Sequence, residues 1–322
     1  MTVGVHSEFG GVRDLRFGVH VFAPSGHDEW VSIARRAEGL GFSVLTVPDH
    51  LIDGCLSPFA ALGVAAEATS GLRFGTLVLN NDLRHPALVA REALALDALS
   101  GGRVELGLGA GSTMSIPEYE STGLRFDDGA ARVARLAEAI EVLDGLLRGD
   151  DVTFTGEHYR LVAHRAWPSP TQRPRPPILV GGNGRRLLRM AAERADIVSL
   201  SGIGRPKSDG LTDASGFLPQ AVDERVALVR AASVGRDVEL QALVQRVIIT
   251  DDPHHATERV LESMPELTIE GILATPYLWI GTVESICEHV LEARERWGFS
   301  YLTVFQDSLE AAAPVIARLA TI

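Results

Sequence analysis

Two residue types are scarce in this sequence of 322 residues. Only two cysteines occur, Cys55 and Cys287, and they are far apart with no metal-ligand spacing. That excludes a disulfide framework of the secreted type and indicates reduced thiols. Lysine occurs once, at Lys207, and the formal net charge is −12. The chain therefore lacks the basic surface by which a protein binds nucleic acid.

Long apolar runs are also missing. No run approaches the roughly 18 apolar residues of a membrane span, and the first residues contain no apolar core of signal-peptide length. Hydrophobic residues make up 46% of the chain and charged residues 22%, as in ordinary globular proteins. We therefore expect a soluble, cytoplasmic protein whose partners are small molecules, with neither nucleic acid nor membrane among them.

Apolar, strand-like segments alternate with amphipathic, helix-like segments along most of the chain. The predicted strands are residues 15–22, 43–48, 72–79, 103–111, 178–180, 197–202, 238–250 and 300–305. Strands that are apolar on both faces are typical of parallel sheets covered by helices. The pattern predicts a (β/α)8 TIM barrel with insertions after strands 4 and 6–7. A doubly wound sheet of six strands with a small second domain is the alternative. No clean linker interrupts the alternation, so we expect a single domain over residues 1–322.

Two segments do not fit the alternation. Residues 148–177 are polar and proline-rich, and we predict an excursion with a short hairpin around residues 153–161. Residues 202–216 are rich in glycine and serine and predict a loop.

Titratable and glycine-rich residues follow the predicted strands. Asp49 and His50 come directly after the second strand, at the end of the apolar run "LTVP". In a barrel, the loops after the strands lie together at the carboxyl rim, where chemistry takes place. His50 is a candidate for proton transfer, and Asp49 is a candidate for fixing a polar group of a ligand. A plain surface turn is the alternative for this pair.

The stretch "LVGGNGRRLL", residues 179–188, is the clearest local motif. Its glycines allow backbone N–H groups to approach an anion, and the positive end of the following helix faces the same point. Arg185 and Arg186 would add charge. The alternative is a tight turn that binds no ligand. The motif is not a strict GxGxxG, so it gives little support to a Rossmann site.

Other polar residues suggest structural roles. No histidines combine with carboxylates at the spacing of a metal site, so we predict no metal. Asp97, Ser100 and Arg103 are expected at the opposite rim, where they would hold the barrel together. Trp167 is a candidate for a pocket wall, and Trp297 is expected in the core.

Three ordered segments resemble one protein family. Residues 76–111, residues 118–128 ("EYESTGLRFDD") and residues 174–198 resemble the bacterial luciferase-like monooxygenase superfamily. Within it, the chain is most similar to actinobacterial oxidoreductases that depend on coenzyme F420, a deazaflavin. The resemblance runs from about residue 15 to residue 319.

The resemblance implies a TIM barrel that binds F420 at the carboxyl rim, with FMN as the alternative because relatives use it in the same cleft. Asp49 and His50 would contact the ring and the substrate, and a non-prolyl cis peptide at Leu77–Val78 would support the ring. The residues expected to bind the cofactor are Leu77, Val78, Asn80, Gly109, Gly181, Gly182, Asn183, Gly184, Arg185 and Ser201. A homodimer is also implied.

Two departures bear on the substrate. Sugar-phosphate dehydrogenases of this family carry a glutamate in the loop after strand four, where this chain has Ala110. They also carry a tryptophan shortly after the histidine, where this chain reads "LIDGCL". Glucose 6-phosphate is therefore not the expected substrate. We expect hydride transfer between F420 and an unidentified small organic substrate. An FMN-dependent monooxygenase and a ligand-binding barrel without catalysis are the alternatives.

Overall fold

Eight parallel strands form a closed barrel in the computed structural model, which describes residues 13–22, 24–204 and 213–321. The strands are β1 (Arg16–His20), β2 (Val44–Val47), β3 (Arg73–Thr76), β4 (Leu79–Asn80), β5 (Val104–Gly109), β6 (Val152–Thr155), β7 (Arg160–His164), β8 (Ile178–Gly181), β9 (Ile197–Leu200), β10 (Glu239–Val244), β11 (Arg246–Ile249), β12 (Leu278–Gly281) and β13 (Phe299–Phe305). The helices are α1 (His27–Gly39), α2 (Pro58–Ala68), α3 (Pro86–Leu99), α4 (Ile116–Thr122), α5 (Gly129–Arg148), α6 (Arg185–Arg194), α7 (Pro219–Ala232), α8 (Pro253–Leu261), α9 (Ile269–Ala274), α10 (Val283–Trp297) and α11 (Leu309–Leu319).

The barrel strands pair in the order β1, β2, β3, β5, β8, β9, β10 and β13, and β13 pairs with β1 to close the ring. The predicted (β/α)8 barrel is therefore confirmed. Strand β4 continues β3 after a two-residue interruption and pairs with β5. None of the helices in the described ranges is long and apolar enough to cross a membrane.

The first predicted insertion is present, whereas most of the predicted loop over residues 202–216 lies outside the described residues, because residues 205–212 are not described. The excursion before β8 contains the antiparallel hairpin of β6 and β7. One predicted strand needs a correction. The predicted seventh strand, residues 238–250, is wrong as one element, because it forms both β10 and β11. The chain leaves the barrel at Gln245, whose backbone N–H donates to the carbonyl of Tyr277 at 2.7 Å. Strand β11 then pairs with β12 outside the barrel.

Ion pairs close the amino end of the barrel. Arg16 Nη1 lies 2.5 Å from Glu105 Oε1, and Arg16 Nη2 lies 2.7 Å from Glu239 Oε2. Arg73 Nε adds a contact of 2.7 Å to Glu105 Oε1. A small apolar cluster fills the interior above them, formed by Val44, Leu179, Ile197 and Tyr301. The lower part of the barrel interior is therefore packed, and barrels of this type bind their ligands at the carboxyl end.

The residues assigned to the opposite rim have the predicted structural roles. Asp97 is fully buried and accepts a hydrogen bond of 2.6 Å from the backbone of Thr171. Arg103 donates to the carbonyls of Ser100 at 2.7 Å and Leu72 at 3.1 Å. These contacts join a helix end to neighbouring loops, so this rim is occupied by structural bonds.

Candidate active site

Asp49 is buried at the carboxyl rim, directly after β2, with 4% of its surface exposed. Its Oδ2 accepts a hydrogen bond of 2.5 Å from Arg84 Nη1 and one of 3.1 Å from the backbone N–H of Asn80. Burial of a carboxylate requires such partners, because an unpaired charge in the interior is costly. Asp49 thus ties the loop after β2 to strand β4.

His50 is paired with a carboxylate that the sequence analysis did not assign. Its Nδ1 lies 2.8 Å from Oε1 of Glu118, and 35% of the His50 side chain is exposed. The other carboxylate oxygen of Glu118 accepts a 2.7 Å hydrogen bond from the backbone N–H of Leu51. An ionised carboxylate only accepts hydrogen bonds, so Nδ1 carries the hydrogen and Nε2 is the nitrogen left for proton exchange.

Glu118 occupies the first turn of α4, directly after Pro117, the second residue of the helix. From sequence alone, an acidic residue at that position is explained by the positive end of the helix. Its burial is the feature that separates it from such a surface residue, since only 7% of Glu118 is exposed. Glu118 is the first residue of "EYESTG", in one of the segments that carry the family resemblance, but nothing in the sequence pattern indicates that its side chain reaches His50.

Tyr119 connects the same helix to strand β4. The amide of Asn80 donates to the Tyr119 hydroxyl at 2.9 Å, and that hydroxyl lies 2.9 Å from Oδ2 of Asp82. Burial is the main reason that the pKa of Tyr119 is raised to about 12. The phenol therefore stays protonated and acts as a structural hydrogen-bond donor beside Asn80.

A bulge separates β3 from β4. The peptide bond between Leu77 and Val78 is cis, at the position that the family resemblance implied. The hydroxyl of Thr76 donates to the carbonyl of Gly107 at 2.7 Å and accepts from its N–H at 3.0 Å. A side chain thereby satisfies backbone groups of β5 where the strand ladder is interrupted.

Val78 fits between two glycines of neighbouring strands. A Cβ atom at Gly109 would lie 2.5 Å from Val78 Cγ2, and one at Gly181 would lie 3.0 Å from Val78 Cγ1. Both positions must therefore lack a side chain for Val78 to keep its place. Val78 also packs on the apolar cluster inside the barrel. It forms an apolar floor at this side of the carboxyl rim.

The glycine turn, residues 181–184, leads from β8 into α6. Gly182 has a φ of +151°, a conformation that L side chains rarely adopt. The Nδ2 of Asn183 donates to Ser201 Oγ at 3.0 Å and to the carbonyl of Ile203 at 2.8 Å, so this side chain joins the turn to the next loop. No side chain caps α6 at Gly184. The first N–H groups of the helix thus suit an anionic ligand.

Contacts connect the predicted residues along one rim. Asp49 bonds to Asn80, which pairs in register with Gly109. The side chain of Val78 lies between Gly109 and Gly181, the first residue of the glycine turn, and so connects the two. Eleven of the twelve residues proposed from the sequence lie in β2–β5, β8 and β9 or in the loops after them, and the twelfth, Arg185, is exposed at the start of α6. Their roles toward a cofactor remain predictions.

Two features lie away from this rim. Trp167 is 80% exposed in the excursion, so its assignment to a pocket wall is wrong. Trp297 is buried, as predicted. A groove of about 1290 Å³ lies between α1 and α2 on the outer wall, where exposed Arg36 pairs with Glu310 at 2.6 Å. The candidate active site is the one at the carboxyl rim, since parallel barrels bear their reactive groups there. The described ranges contain no group of three or more His, Cys, Asp or Glu residues able to hold a metal ion.

Known proteins with related sequence or structure include enzymes that depend on F420. An F420-dependent glucose-6-phosphate dehydrogenase of Nakamurella multipartita is 32% identical over 191 residues, covering 56% of this chain and 55% of that protein. The chain thus spans about half the length of such curated relatives.

Two solved structures share the fold. The coenzyme F420-dependent tetrahydromethanopterin reductase from Methanopyrus kandleri aligns with a TM-score of 0.75 and 19% identity, over 95% of this chain and 100% of that one. The monooxygenase RslO1 from Streptomyces bottropensis aligns with a TM-score of 0.72 and 20% identity, over 95% and 98%. The sequence profile of the luciferase-like monooxygenase family matches residues 8–301. By that match, which covers most of its length, the chain belongs to the luciferase-like monooxygenase family.

Proposed function

We propose that this protein is an oxidoreductase that transfers a hydride between coenzyme F420 and a small organic substrate. The observation that carries the proposal is a single rim that combines the His50–Glu118 pair with a glycine turn at the start of an uncapped helix. F420-dependent enzymes among the relatives favour a deazaflavin over FMN.

The residues of the rim fit such a cofactor. Backbone groups of the glycine turn and the first turn of α6 would hold its phosphate, and Arg185 would add positive charge. Val78, held between Gly109 and Gly181, would support one face of the ring. When bound, the deazaflavin supplies two electrons as a hydride, and the protein supplies orientation and proton transfer.

His50 would exchange the proton that accompanies the hydride. The Glu118 carboxylate fixes Nδ1, so the ring cannot turn freely and Nε2 has one preferred direction. Asp49 would orient the edge of the cofactor ring, and its buried carboxylate is held in place by the ion pair with Arg84.

A fluorescence-quenching titration of the purified protein with F420 and with FMN tests the proposal. We expect F420 to bind more tightly than FMN. Gly182→Asp should weaken binding of F420, because it adds a side chain at an unsuitable φ and a negative charge beside the phosphate. Trp167→Ala is the control, since this exposed residue lies in the excursion.

Each other outcome has a definite meaning. Tighter binding of FMN would replace the proposal with a flavin-dependent monooxygenase. Binding of neither cofactor would favour a barrel that holds a different ligand. Equal affinity of wild type and Gly182→Asp for F420 would remove the glycine turn from the cofactor site.

A further inference from the structure

We infer that the substrate of this enzyme is a flat, uncharged, apolar organic molecule that binds against Phe22 and Phe305 at the mouth of the barrel. The inference rests on the proposed function and names the substrate class for the same site. It rests on the aromatic rings and the charged groups on one side of the rim, which faces away from Val78 and the glycine turn.

Three rings line this side of the rim. Strands β1 and β13 are neighbours, and His20 pairs in register with Phe305. The ring of Phe22 lies 4.8 Å from that of His20 and 6.1 Å from that of Phe305, and the two phenyl rings are stacked with an interplanar angle of 28°. The backbone N–H of Phe22 is fixed by Gln306 Oε1 at 3.0 Å. Phe22 and Phe305 are each half-buried, so neither residue is sealed in the core.

His20 lies beneath these rings as a neutral group. It is buried, and its Nδ1 lies 2.9 Å from the hydroxyl of Thr46. Burial, and to a smaller degree the proximity of His50, lowers the pKa of His20 to about 3. The base of the subsite thus adds no positive charge at neutral pH, although it comes within electrostatic range of His50.

Arginines near the rim are already occupied. Arg84 is paired with Asp49 at 2.5 Å, and Arg135 is paired with Asp82 at 2.6 Å. The guanidinium of Arg132 donates to the carbonyl of Ala110 at 2.8 Å and lies over the ring of Phe126.

Two exposed arginines lie elsewhere. Arg185 is at the glycine turn, where the cofactor phosphate would bind, and Arg246 is on β11, which lies outside the barrel. An anionic substrate at His50 would thus find Arg84, Arg132 and Arg135 already engaged. The net charge of −12 would also oppose its approach.

Exposed apolar side chains lie in the loop that contains His50 and on both sides of α4. Leu51, Ile52 and Leu56 are exposed in the loop after β2, and Met114 and Leu124 are exposed at either end of α4. The bond from the Leu51 N–H to Glu118 joins these two loops beside His50. Exposed apolar residues in neighbouring loops favour a binding surface, and Leu51 directly follows His50.

The test measures binding of matched probes by calorimetry to the protein saturated with F420. The probes are 2-acetylnaphthalene, which is flat and uncharged, its carboxylate analogue 2-naphthoate, and glucose 6-phosphate. We expect 2-acetylnaphthalene to bind about tenfold or more tightly than either anion, since Arg84, Arg132 and Arg135 are already engaged by other groups. Phe22→Leu and Phe305→Leu should each weaken its binding by about three- to tenfold through loss of aromatic contact.

Controls separate this inference from the proposed function. The leucine variants keep an apolar side chain, and their F420 affinity and melting temperature should match the wild type. Trp167→Ala should bind the probe unchanged. If F420 itself fails to bind, the proposed function fails. If F420 binds but 2-naphthoate or glucose 6-phosphate binds more tightly than the ketone, the substrate class is wrong. If both leucine variants bind the ketone as well as wild type does, the subsite is wrong.

Discussion

Replacing Glu118 by glutamine tests the central pair of the site without removing its shape. The carboxylate accepts two hydrogen bonds, of 2.8 Å from His50 Nδ1 and 2.7 Å from the Leu51 N–H. A glutamine has one oxygen that accepts and one NH₂ that donates. The Leu51 N–H can only donate, so the glutamine oxygen must face it, and the NH₂ must face His50. The imidazole then has to accept at Nδ1 and carry its hydrogen on Nε2.

The energetic cost follows from the same two contacts. A hydrogen bond to a charged group contributes about 1.5–3 kcal/mol and one between neutral groups about 0.5–1.5 kcal/mol. Losing the charge at both contacts should therefore lower the free energy of unfolding by about 2 kcal/mol. Glu118→Ala removes both bonds and leaves the Leu51 N–H without its acceptor, so about 4 kcal/mol is expected.

Nitrogen-15 NMR of the histidine rings at alkaline pH, where a neutral imidazole shows its tautomer, is the direct assay. We expect wild-type His50 to carry its hydrogen on Nδ1, and Glu118→Gln to move it to Nε2. Urea denaturation measures the stability change. Glu120→Gln, exposed on the same helix, is the matched control and should alter neither result. A wild-type His50 with its hydrogen on Nε2, or a tautomer that glutamine leaves unchanged, would refute the reasoning.

Three further predictions concern residues of the rim and the barrel mouth. His20 has a folded-state pKa of about 3 against an ordinary value of 6.5, so the unfolded chain takes up a proton at this residue at a higher pH than the folded chain does. Stability should therefore fall as pH drops below 6.5, by about 2 kcal/mol at about pH 5, and His20→Gln should flatten this slope in urea titrations. Gly109→Ala should destabilise the protein by about 1–3 kcal/mol and weaken F420 binding, because the added Cβ atom would lie 2.5 Å from Val78. Adding Val78→Ala should restore part of the stability, and no recovery would mean that the crowding is relieved elsewhere. Arg84→Met should lower the free energy of unfolding by about 3–5 kcal/mol, because it leaves the buried Asp49 carboxylate without its ion-pair partner. Adding Asp49→Asn should restore part of the melting temperature in calorimetry. If no stability is recovered, the pair does not have this role.

The fold followed from the sequence because its signals are local. Apolar runs separated by amphipathic helices define each βα unit, and parallel strands that are buried on both faces have few other architectures. The position of Asp49 and His50 at a strand end was sufficient to place them at the rim. The limit of this reasoning is visible at residues 238–250, where one continuous apolar run contains two strands in different sheets. Hydrophobicity alone does not predict the residue at which a chain leaves a barrel.

The partners in the site could not be derived in the same way. Glu118 meets His50 across 68 residues of chain, and Arg84 meets Asp49 across 35. Such contacts depend on the paths of two loops, which periodicity does not encode. Trp167 is an error of another kind: the sequence suggested a site role for it that the structure does not support. We predicted it to line a pocket because it is an aromatic residue beside prolines, but it is exposed. The cis peptide at Leu77–Val78 was located by family resemblance, because no local pattern specifies it.

The ion pairs of Arg16 and Arg73 with Glu105 and Glu239 occupy the amino end of the barrel. If F420 binds at the carboxyl rim as proposed, the cofactor and the substrate would both enter from that end. The two molecules would then bind in a fixed order, with the cofactor first, and steady-state kinetics with both concentrations varied would show that order.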